Sequence, residues 1–453
     1  MSKKIDATNG HLVRLIFAYT IPLILSTILQ NLFSIADKAV LGNMAGSTAV
    51  ASIGATGTVT GLIINGAVGL STGTSIILAR FVGQKNKENI KQTVNTSLIT
   101  GAMLGAVVAV SGILLAPAFL KATGCPSDCY DGALIYMRIY LAGAPATLLY
   151  NYGSAILRTF GDTQRPLYYI SVAGVVNVLL NIILCLVLPQ KVMAVAIATI
   201  VSKIISATLV ILRLRHFDDI LRLSIRKMRF KFGTFVQILR FGIPSSISQL
   251  VLPLGNLQIV TAINSYGVEA IAGSSAATSV HSIVGAFVGG FGVAATTFIG
   301  QNIGSKNPDR VKRSFWYLIA FNVFISGALG LALYLSGEFW LGIILGRSAS
   351  GAISFGMKRM FFVTFFTFIN AASSILSHSL QAFGYPMFVS ISNIAFNLGF
   401  RVLWMKLVYP LFPAFSTIMF CFTVSWTLNL LLYAIFFAIV YIRYTKKGIC
   451  KKI

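Results

Sequence analysis

Acidic residues are scarce in this chain of 453 residues, which carries 11 Asp and Glu against 36 Lys and Arg. Only 10% of its residues are charged, whereas soluble globular proteins carry about 25%. Hydrophobic residues make up 56%, and the mean hydropathy is +0.82. This composition excludes one large soluble core. It predicts a polytopic membrane protein, in which about 20 residues per span leave room for roughly a dozen helices.

Groups that carry enzyme chemistry are also missing. The sequence has no P-loop, no paired carboxylates, no His cluster and no nucleophile–base set. ATP is therefore not expected as the direct energy source, and an intramembrane enzyme has little support. The five cysteines lack metal-ligand spacing. Cys125 and Cys129 lie in one polar break, where they can pair in an oxidising space or remain free thiols.

Apolar segments fill most of the chain and predict an all-α protein with twelve transmembrane helices. The segments cover residues 15–41, 50–79, 93–120, 132–157, 166–188, 192–214, 236–263, 271–299, 314–336, 355–380, 386–409 and 415–442. Glycine and other small residues recur within them and indicate closely packed helices. No cleavable signal peptide is expected, because the first apolar run is too long for one.

Positive charge is concentrated in alternate connections between these segments. It lies at the N-terminus, in the second, fourth, sixth and eighth loops, and in the C-terminal tail. Odd-numbered loops have few basic residues, mainly Lys121, Lys191 and Arg347. Because cytoplasmic loops are rich in Lys and Arg, both termini are predicted to be cytoplasmic. This distribution also argues against a nucleic-acid partner.

Three short motifs and one aligned asparagine recur in the same order in the two halves of the chain. GQKNKENIKQ (83–92) matches GSKNPDRVKR (304–313), and FAYTIP (17–22) matches LRFGIP (239–244). LRTFGDTQRP (157–166) matches LQAFGYP (380–386), which aligns Asn177 and Asn181 with Asn397 and Arg401. The repeat predicts two six-helix bundles of parallel orientation. Their predicted bounds are 1–212 and 236–453, joined by a basic cytoplasmic linker at 213–235.

Asp37 is the principal candidate for a functional residue because it lies in the first apolar segment, about four turns beyond Pro22. A charged group at the bilayer centre costs about 2.5–3.5 kcal/mol on insertion scales, so a retained one indicates function. The alternative is that Asp37 reaches the headgroups or pairs with Lys38.

The chain resembles one family over nearly its whole length. The features that carry the resemblance are the two six-helix halves and the runs NLFSIADKAVLG (31–42) and RTFGDTQRP (158–166). This family is the multidrug and toxic compound extrusion (MATE) transporters, and the DinF-like/MepA-like bacterial branch is the most similar. The resemblance implies the MATE fold, with two pseudo-symmetric lobes around a V-shaped cavity. It also implies export of organic cations and other amphipathic compounds, coupled to protons or sodium ions.

The same resemblance implies an ion-coupling set. Asp37 matches the first-helix carboxylate of the DinF-like branch, and Asn177, Asn181 and Thr199 match its partner positions. A sodium ion at Asp37 is one of the two coupling ions that this set can bind, and a proton is the other. Asn181 stands where that branch often has Asp, so the resemblance gives this site one carboxylate rather than two. The NorM-like branch places acidic residues in the C-terminal lobe, but the seventh segment has none at membrane depth, and Glu269 falls in a predicted outer loop.

Further polar residues in the apolar segments are candidates for the substrate cavity, and Pro22 is a candidate for gating by bending its helix. Lys203 either approaches Asp37 or extends to an interface, and Arg401 presents the same choice. The candidate cavity residues are Lys203, Gln249, Asn256, Gln258, Asn393, Asn397 and Arg401.

The preferred function is secondary-active export of small amphipathic or cationic molecules from the cytoplasm across the plasma membrane. The protein is expected to act as a monomer in membrane lipid, without a cofactor other than the coupling ion. The alternative function is a flippase for lipid-linked precursors, which usually needs a strongly cationic cavity.

Overall fold

The computed structural model describes residues 5–217, 228–346 and 348–447, and the predicted linker at 213–235 therefore lies partly outside the described residues. Within them every regular element is helical. The first half contains α1 (Leu12–Gly83), α2 (Lys87–Ala122), α3 (Ser127–Ala142), α4 (Ala144–Thr159), α5 (Gln164–Val187) and α6 (Lys191–Arg215).

The second half is also helical but is interrupted more often. It contains α7 (Phe232–Asn264), α8 (Val268–Gly304), α9 (Pro308–Leu335), α10 (Gly337–Leu345), α11 (Ser350–Arg359), α12 (Thr367–Ala382), α13 (Pro386–Asn393), α14 (Phe400–Leu403) and α15 (Phe415–Lys447). Three π-helical turns interrupt these helices. Met360–Phe365 joins α11 to α12, Ile394–Gly399 joins α13 to α14, and Trp404–Val408 follows α14. Such turns often occur at functional sites.

The helices account for all twelve predicted segments. Eleven described helices are long and apolar enough to cross a membrane, and the pair α3 and α4, bent by 45°, adds a twelfth if it forms one span. The long helix α1 supplies the first two spans, Leu12–Met44 and Val59–Gly83. The helix is broken at Gly46, whose backbone φ is 79°. Residues other than glycine rarely adopt this backbone conformation.

Two turns show why the repeated sequence produces repeated structure. Lys85 and Lys306 both have positive φ, 54° and 56°. Each is followed by an asparagine, Asn86 or Asn307, that is the N-cap of the helix beginning at the next residue. The side chain of each asparagine accepts a hydrogen bond from the backbone N–H three residues later, at 3.1 Å and 3.0 Å. This capping satisfies a backbone donor that a helix otherwise leaves unpaired.

The chain divides into two compact units. Unit 1 contains Met1–Asp6 and Leu25–Ser246, and unit 2 contains Ala7–Ile24 and Ile247–Ile453. In unit 1, α5 packs against α6 and α2 packs against α4. In unit 2, α8 packs against α9, α11 and α12, and α12 also packs against α15.

Two helices change unit shortly after a proline. Helix α1 passes from unit 2 to unit 1 between Ile24 and Leu25, and α7 passes from unit 1 to unit 2 between Ser246 and Ile247. Pro22 and Pro244 lie just before these points. A proline inside a helix removes a backbone hydrogen bond and favours a bend. The predicted lobe bounds of 1–212 and 236–453 remain a prediction.

Candidate functional site

A hydrogen bond in unit 1 joins the first span to α5. The side-chain amide of Asn181 donates to a carboxylate oxygen of Asp37, with Nδ2 and Oδ1 2.6 Å apart. The same Nδ2 lies 3.4 Å from Oδ1 of Asn177, one turn earlier on α5. Asn181 is completely buried and Asn177 is 4% exposed. The structure therefore brings together three of the four predicted ion-coupling residues.

A close contact one turn away places Asp37 beside α5. The ring of Phe33 lies against Gly174, where the Cβ of any other residue would overlap it. Because residues four apart share a helix face, Asp37 follows Phe33 on α1. Asn177 and Asn181 likewise continue the face of α5 that begins at Gly174. The missing side chain at Gly174 thus permits the approach that aligns carboxylate and amide.

Two further residues complete the polar surroundings. Tyr136 of α3 is buried and lies near both Asp37 and Thr199 of α6. The hydroxyl of Thr199 also donates to the backbone carbonyl of Val195, at 2.8 Å. Thr199, the fourth predicted coupling residue, therefore lies near Tyr136, and no hydrogen bond among the described residues joins it to Asp37 directly.

Lys203 lies one turn beyond Thr199 on α6, and its ammonium group contacts an aromatic ring. Its ammonium nitrogen lies 3.7 Å from the centre of the Tyr140 ring, a cation–π geometry. This nitrogen is buried and has no hydrogen-bond partner among the described residues. It forms no ion pair with Asp37 within 4.0 Å among those residues. Tyr140 in turn stacks on Tyr136, with ring centres 5.9 Å apart.

The site also contains unused polar atoms. Within the described part of the chain, Nδ2 of Asn177 and Oδ1 of Asn181 are buried without a hydrogen-bond partner. Unpaired buried polar atoms are costly, and they are common where a ligand, ion or water binds. The carboxylate, the free amide oxygen and the Thr199 hydroxyl offer oxygen atoms that suit a proton or a hard cation. The side chain of Lys38, the alternative partner of Asp37, lies outside the described side chains.

Unit 2 has a cation at the position aligned with Asn181. The guanidinium of Arg401, 2% exposed, donates to Oδ1 of Asn256 at 2.7 Å and to Oδ1 of Asn397 at 3.2 Å. Its Nε and Nη2 also donate to the hydroxyl of Ser425, at 3.3 Å and 3.2 Å. Asn393 accepts a 2.8 Å hydrogen bond from Asn397. Arg401 is therefore buried in a network of neutral acceptors rather than extended to an interface.

The remaining candidates are placed as follows. Gln249 is half-buried and Gln258 is exposed, and the hydrogen bonds of the described residues do not join either one to the Arg401 network. Pro22 lies inside α1, where the helix continues past it. The structure thus groups Asn256, Asn393, Asn397 and Arg401, and leaves the two glutamines apart.

Sequence reasoning missed Tyr136 beside Asp37 and Tyr140 beside Lys203, as well as Ser425 beside Arg401. Tyr136 and Tyr140 are four apart on α3, so a search for polar pairs on one helix face would have found them. No comparable signal marks Ser425, because its role depends on which helix packs against Arg401.

The sequence profile of the MatE family matches the chain twice, over residues 22–183 and 244–404. Together these matches cover more than half of the chain. The chain belongs to the MATE family. The resemblance inferred from the motifs is thereby confirmed, and the two successive matches agree with the internal repeat.

Similar proteins agree with this assignment. "Probable multidrug resistance protein YoeA" of Bacillus subtilis (strain 168) is 27% identical over 394 residues, which cover 85% of this chain and 84% of the relative. "Probable multidrug resistance protein YpnP" of the same organism is 26% identical over 420 residues, 91% of each chain. A crystal structure of MATE in complex with MaL6 has a TM-score of 0.89 at 21% identity and covers 99% of this chain and 100% of that chain.

The structural likeness confirms the predicted all-α, twelve-helix MATE fold. The chain is thus a multi-pass membrane protein of a multidrug efflux transporter family, and its relatives are transporters rather than enzymes. MATE transporters need no cofactor in general.

Proposed function

We propose that this protein is a secondary-active exporter in which Asp37 couples the inward movement of a proton or sodium ion to the export of small amphipathic or cationic molecules. The observation that carries the proposal is the 2.6 Å hydrogen bond from Asn181 to Asp37 inside a membrane span. An ionisable group at that depth is a functional candidate in its own right.

The coupling role follows from what each side chain can do. A carboxylate exchanges a proton or a metal cation and changes its net charge, whereas Asn and Thr side chains bind an ion without changing charge at ordinary pH. Asp37 is therefore the member of the set that can report ion occupancy. Asn177, Asn181 and Thr199 position it and supply neutral oxygen atoms.

Ion occupancy alters the conformational equilibrium only by the difference in affinity between two states. The charged carboxylate binds the ion in the state that accepts it from outside, and the neutralised site favours the state that releases substrate. We assign the movement to α1, which contains both Asp37 and Pro22. The change of unit just after Pro22 supports a gating role for that residue.

Substrate contacts are proposed for Lys203 in unit 1 and for polar residues in unit 2. Lys203 contributes a buried ammonium group without a hydrogen-bond partner among the described residues. The unit 2 candidates are Gln249, Asn256, Gln258, Asn393, Asn397 and Arg401. We expect a monomer in the cytoplasmic membrane, surrounded by lipid, with both termini in the cytoplasm.

Proteoliposomes loaded with a cationic dye test the proposal. An imposed proton gradient and, separately, an imposed sodium gradient should identify the ion that drives dye export by the wild-type protein. Asp37→Asn should abolish export against the dye gradient, because the amide cannot carry the charge change. Expression and downhill exchange should be retained.

The matched control is Asp128→Asn, which removes an exposed carboxylate at the start of α3 and should leave export unchanged. Gradient-driven export by Asp37→Asn at the wild-type rate would refute the coupling role. Transport of a lipid-linked oligosaccharide but not of the dye would instead support the flippase alternative.

A further inference from the structure

Two arginines of unit 2 lie within membrane spans and share one aromatic ring. The guanidinium carbon of Arg401 lies 4.5 Å from the centre of the Phe422 ring, and that of Arg359 lies 5.4 Å from the same centre. Arg359 ends α11, Arg401 lies in α14 and Phe422 lies in α15. The two cations are also close enough to interact electrostatically with each other.

Neither arginine has a carboxylate partner within the described part of the chain. Among the described residues, the ion pairs within 4.0 Å join Asp162 to Arg165 and to Arg213, far from this cluster in sequence. His281 of α8 also lies near Arg359; its ring stacks on Trp426, and its buried Nδ1 has no hydrogen-bond partner in the described part of the chain. Cys421 of α15 lies near Arg401. Charged side chains in membrane spans normally have a partner. Two adjacent guanidinium groups without a carboxylate partner among the described residues therefore favour binding of an anion.

The two arginines differ in how many donors remain available. All three nitrogens of Arg401 already donate to neutral oxygens of Asn256, Asn397 and Ser425. Arg359 donates to the hydroxyl of Ser274 at 2.7 Å, and its Nε is buried without a partner among the described residues. Arg401 is therefore held as a fixed charge, whereas Arg359 keeps N–H donors for a ligand.

The backbone packing fixes this arrangement. Gly273, just before Ser274, lies against the carbonyl of Ala352, where a side chain would collide with the backbone. This approach brings α8 close to α11 and places Ser274 beside Arg359. Arg359 and Asn256 are only partly buried, so the cluster is not completely closed, although Nε of Arg359 is itself buried.

We propose that Arg359, Arg401 and Phe422 form a binding site for the oxyanion group, carboxylate or phosphate, of an amphipathic ligand. The planar guanidinium matches both groups because it offers parallel N–H donors. Arg359 supplies the direct hydrogen bonds, Arg401 supplies the second positive charge, and Phe422 supplies apolar surface for the rest of the ligand. The site consists of unit 2 residues alone and does not depend on the coupling role of Asp37.

Binding to the purified full-length protein tests this site without requiring transport. The probe is 1-pyrenebutyrate, compared with its neutral methyl ester by equilibrium dialysis in detergent. The wild-type protein should prefer the acid by roughly tenfold or more, since a hydrogen bond to a charged group contributes about 1.5–3 kcal/mol. Arg359→Gln should remove that preference, and Arg359→Lys should keep part of it because the charge remains.

The control is Lys358→Gln, which removes the neighbouring but exposed positive charge and should leave the preference unchanged. Thermal unfolding of each variant shows whether it is folded. If Arg359→Gln is misfolded, Arg359→Lys still tests the site, because it keeps the positive charge. Equal binding of acid and ester by the wild-type protein, or an equal loss in Lys358→Gln and Arg359→Gln, would overturn the proposal.

Nanodiscs distinguish the two sources of such an anion. If phosphatidylglycerol lowers binding of the probe to the wild-type protein, compared with phosphatidylcholine alone, and has no such effect on Arg359→Gln, a lipid headgroup occupies the site. If probe binding is the same in both lipids, the site takes a free organic anion. Either result supports an oxyanion site.

Discussion

Asn181 Nδ2 donates to Asp37 Oδ1 over 2.6 Å, whereas at the aligned position of the second half Arg401 Nη1 donates to Asn256 Oδ1 over 2.7 Å. Each half therefore has a hydrogen bond from a side chain on its fifth predicted segment to a polar side chain on its first predicted segment. The charge is reversed, because unit 1 has a carboxylate as acceptor and unit 2 has a guanidinium as donor. The same helix pairing thus presents opposite charges in the two units.

We expect Asn181→Asp to fold and to change the pH dependence of export. Two carboxylates at this separation repel each other and tend to share one proton. That proton must leave before a cation binds between them, so the pH profile of export should move toward higher pH. Dye export from proteoliposomes, measured across a pH series, checks this.

Asn151→Asp serves as the control for Asn181→Asp. It adds a carboxylate on α4, where Asn151 donates to the carbonyl of Thr147 within its own helix. An identical shift in the pH profile of both variants would contradict a specific pairing with Asp37.

Gly174→Val should destabilise unit 1 and displace Asp37. The new side chain overlaps the Phe33 ring, and overpacking of this kind typically costs about 1–3 kcal/mol. We expect a lower midpoint of thermal unfolding in detergent together with weaker ion dependence of export. Gly285→Val is the control, because no atom lies within 4 Å of a Cβ at that position.

The additional variant Phe33→Ala should restore part of the stability lost in Gly174→Val, since it removes the overlapping ring. If the double variant is no more stable than Gly174→Val alone, the overlap with Phe33 is not the cause of the loss.

Pro22→Ala should slow gradient-driven export while leaving substrate binding intact. Alanine restores the N–H that proline lacks and removes the ring that favours a bend, so α1 should become straighter and stiffer. Pro117→Ala provides a control, because Pro117 also lies inside a long helix, α2. Equal export by the wild-type protein and Pro22→Ala would argue against gating at this residue.

The predicted topology places the turns at Asn86 and Asn307 in the cytoplasm, because basic residues surround both. Single-cysteine variants at these capping positions should react with a membrane-impermeant maleimide only after the cell is opened. Cys125, which lies in an odd-numbered loop, should react from outside. The structure leaves Cys125 and Cys129 as free thiols with their sulfur atoms 3.9 Å apart. Labelling of position 86 or 307 in intact cells would show that the orientation is wrong.

The sequence alone was sufficient for the membrane class, the twelve spans, the repeat and the family. These properties depend on hydrophobic length, on loop charge and on short turns such as Lys85–Asn86, which are local. The sequence also identified Asp37 as the principal candidate for a functional residue, because a single carboxylate within an apolar segment is unusual whatever surrounds it.

Only the tertiary structure decided which polar groups meet. Lys203 was a candidate partner of Asp37, but α3 lies nearby and its Tyr140 ring occupies the space beside the ammonium group. Arg359 and Arg401 are separated by 42 positions in the chain, and their approach to Phe422 depends on how α11, α14 and α15 pack. Hydrophobic periodicity selects which face of a helix is buried, but the contacts across that face depend on shape, on small residues such as Gly174 and Gly273, and on where each helix bends.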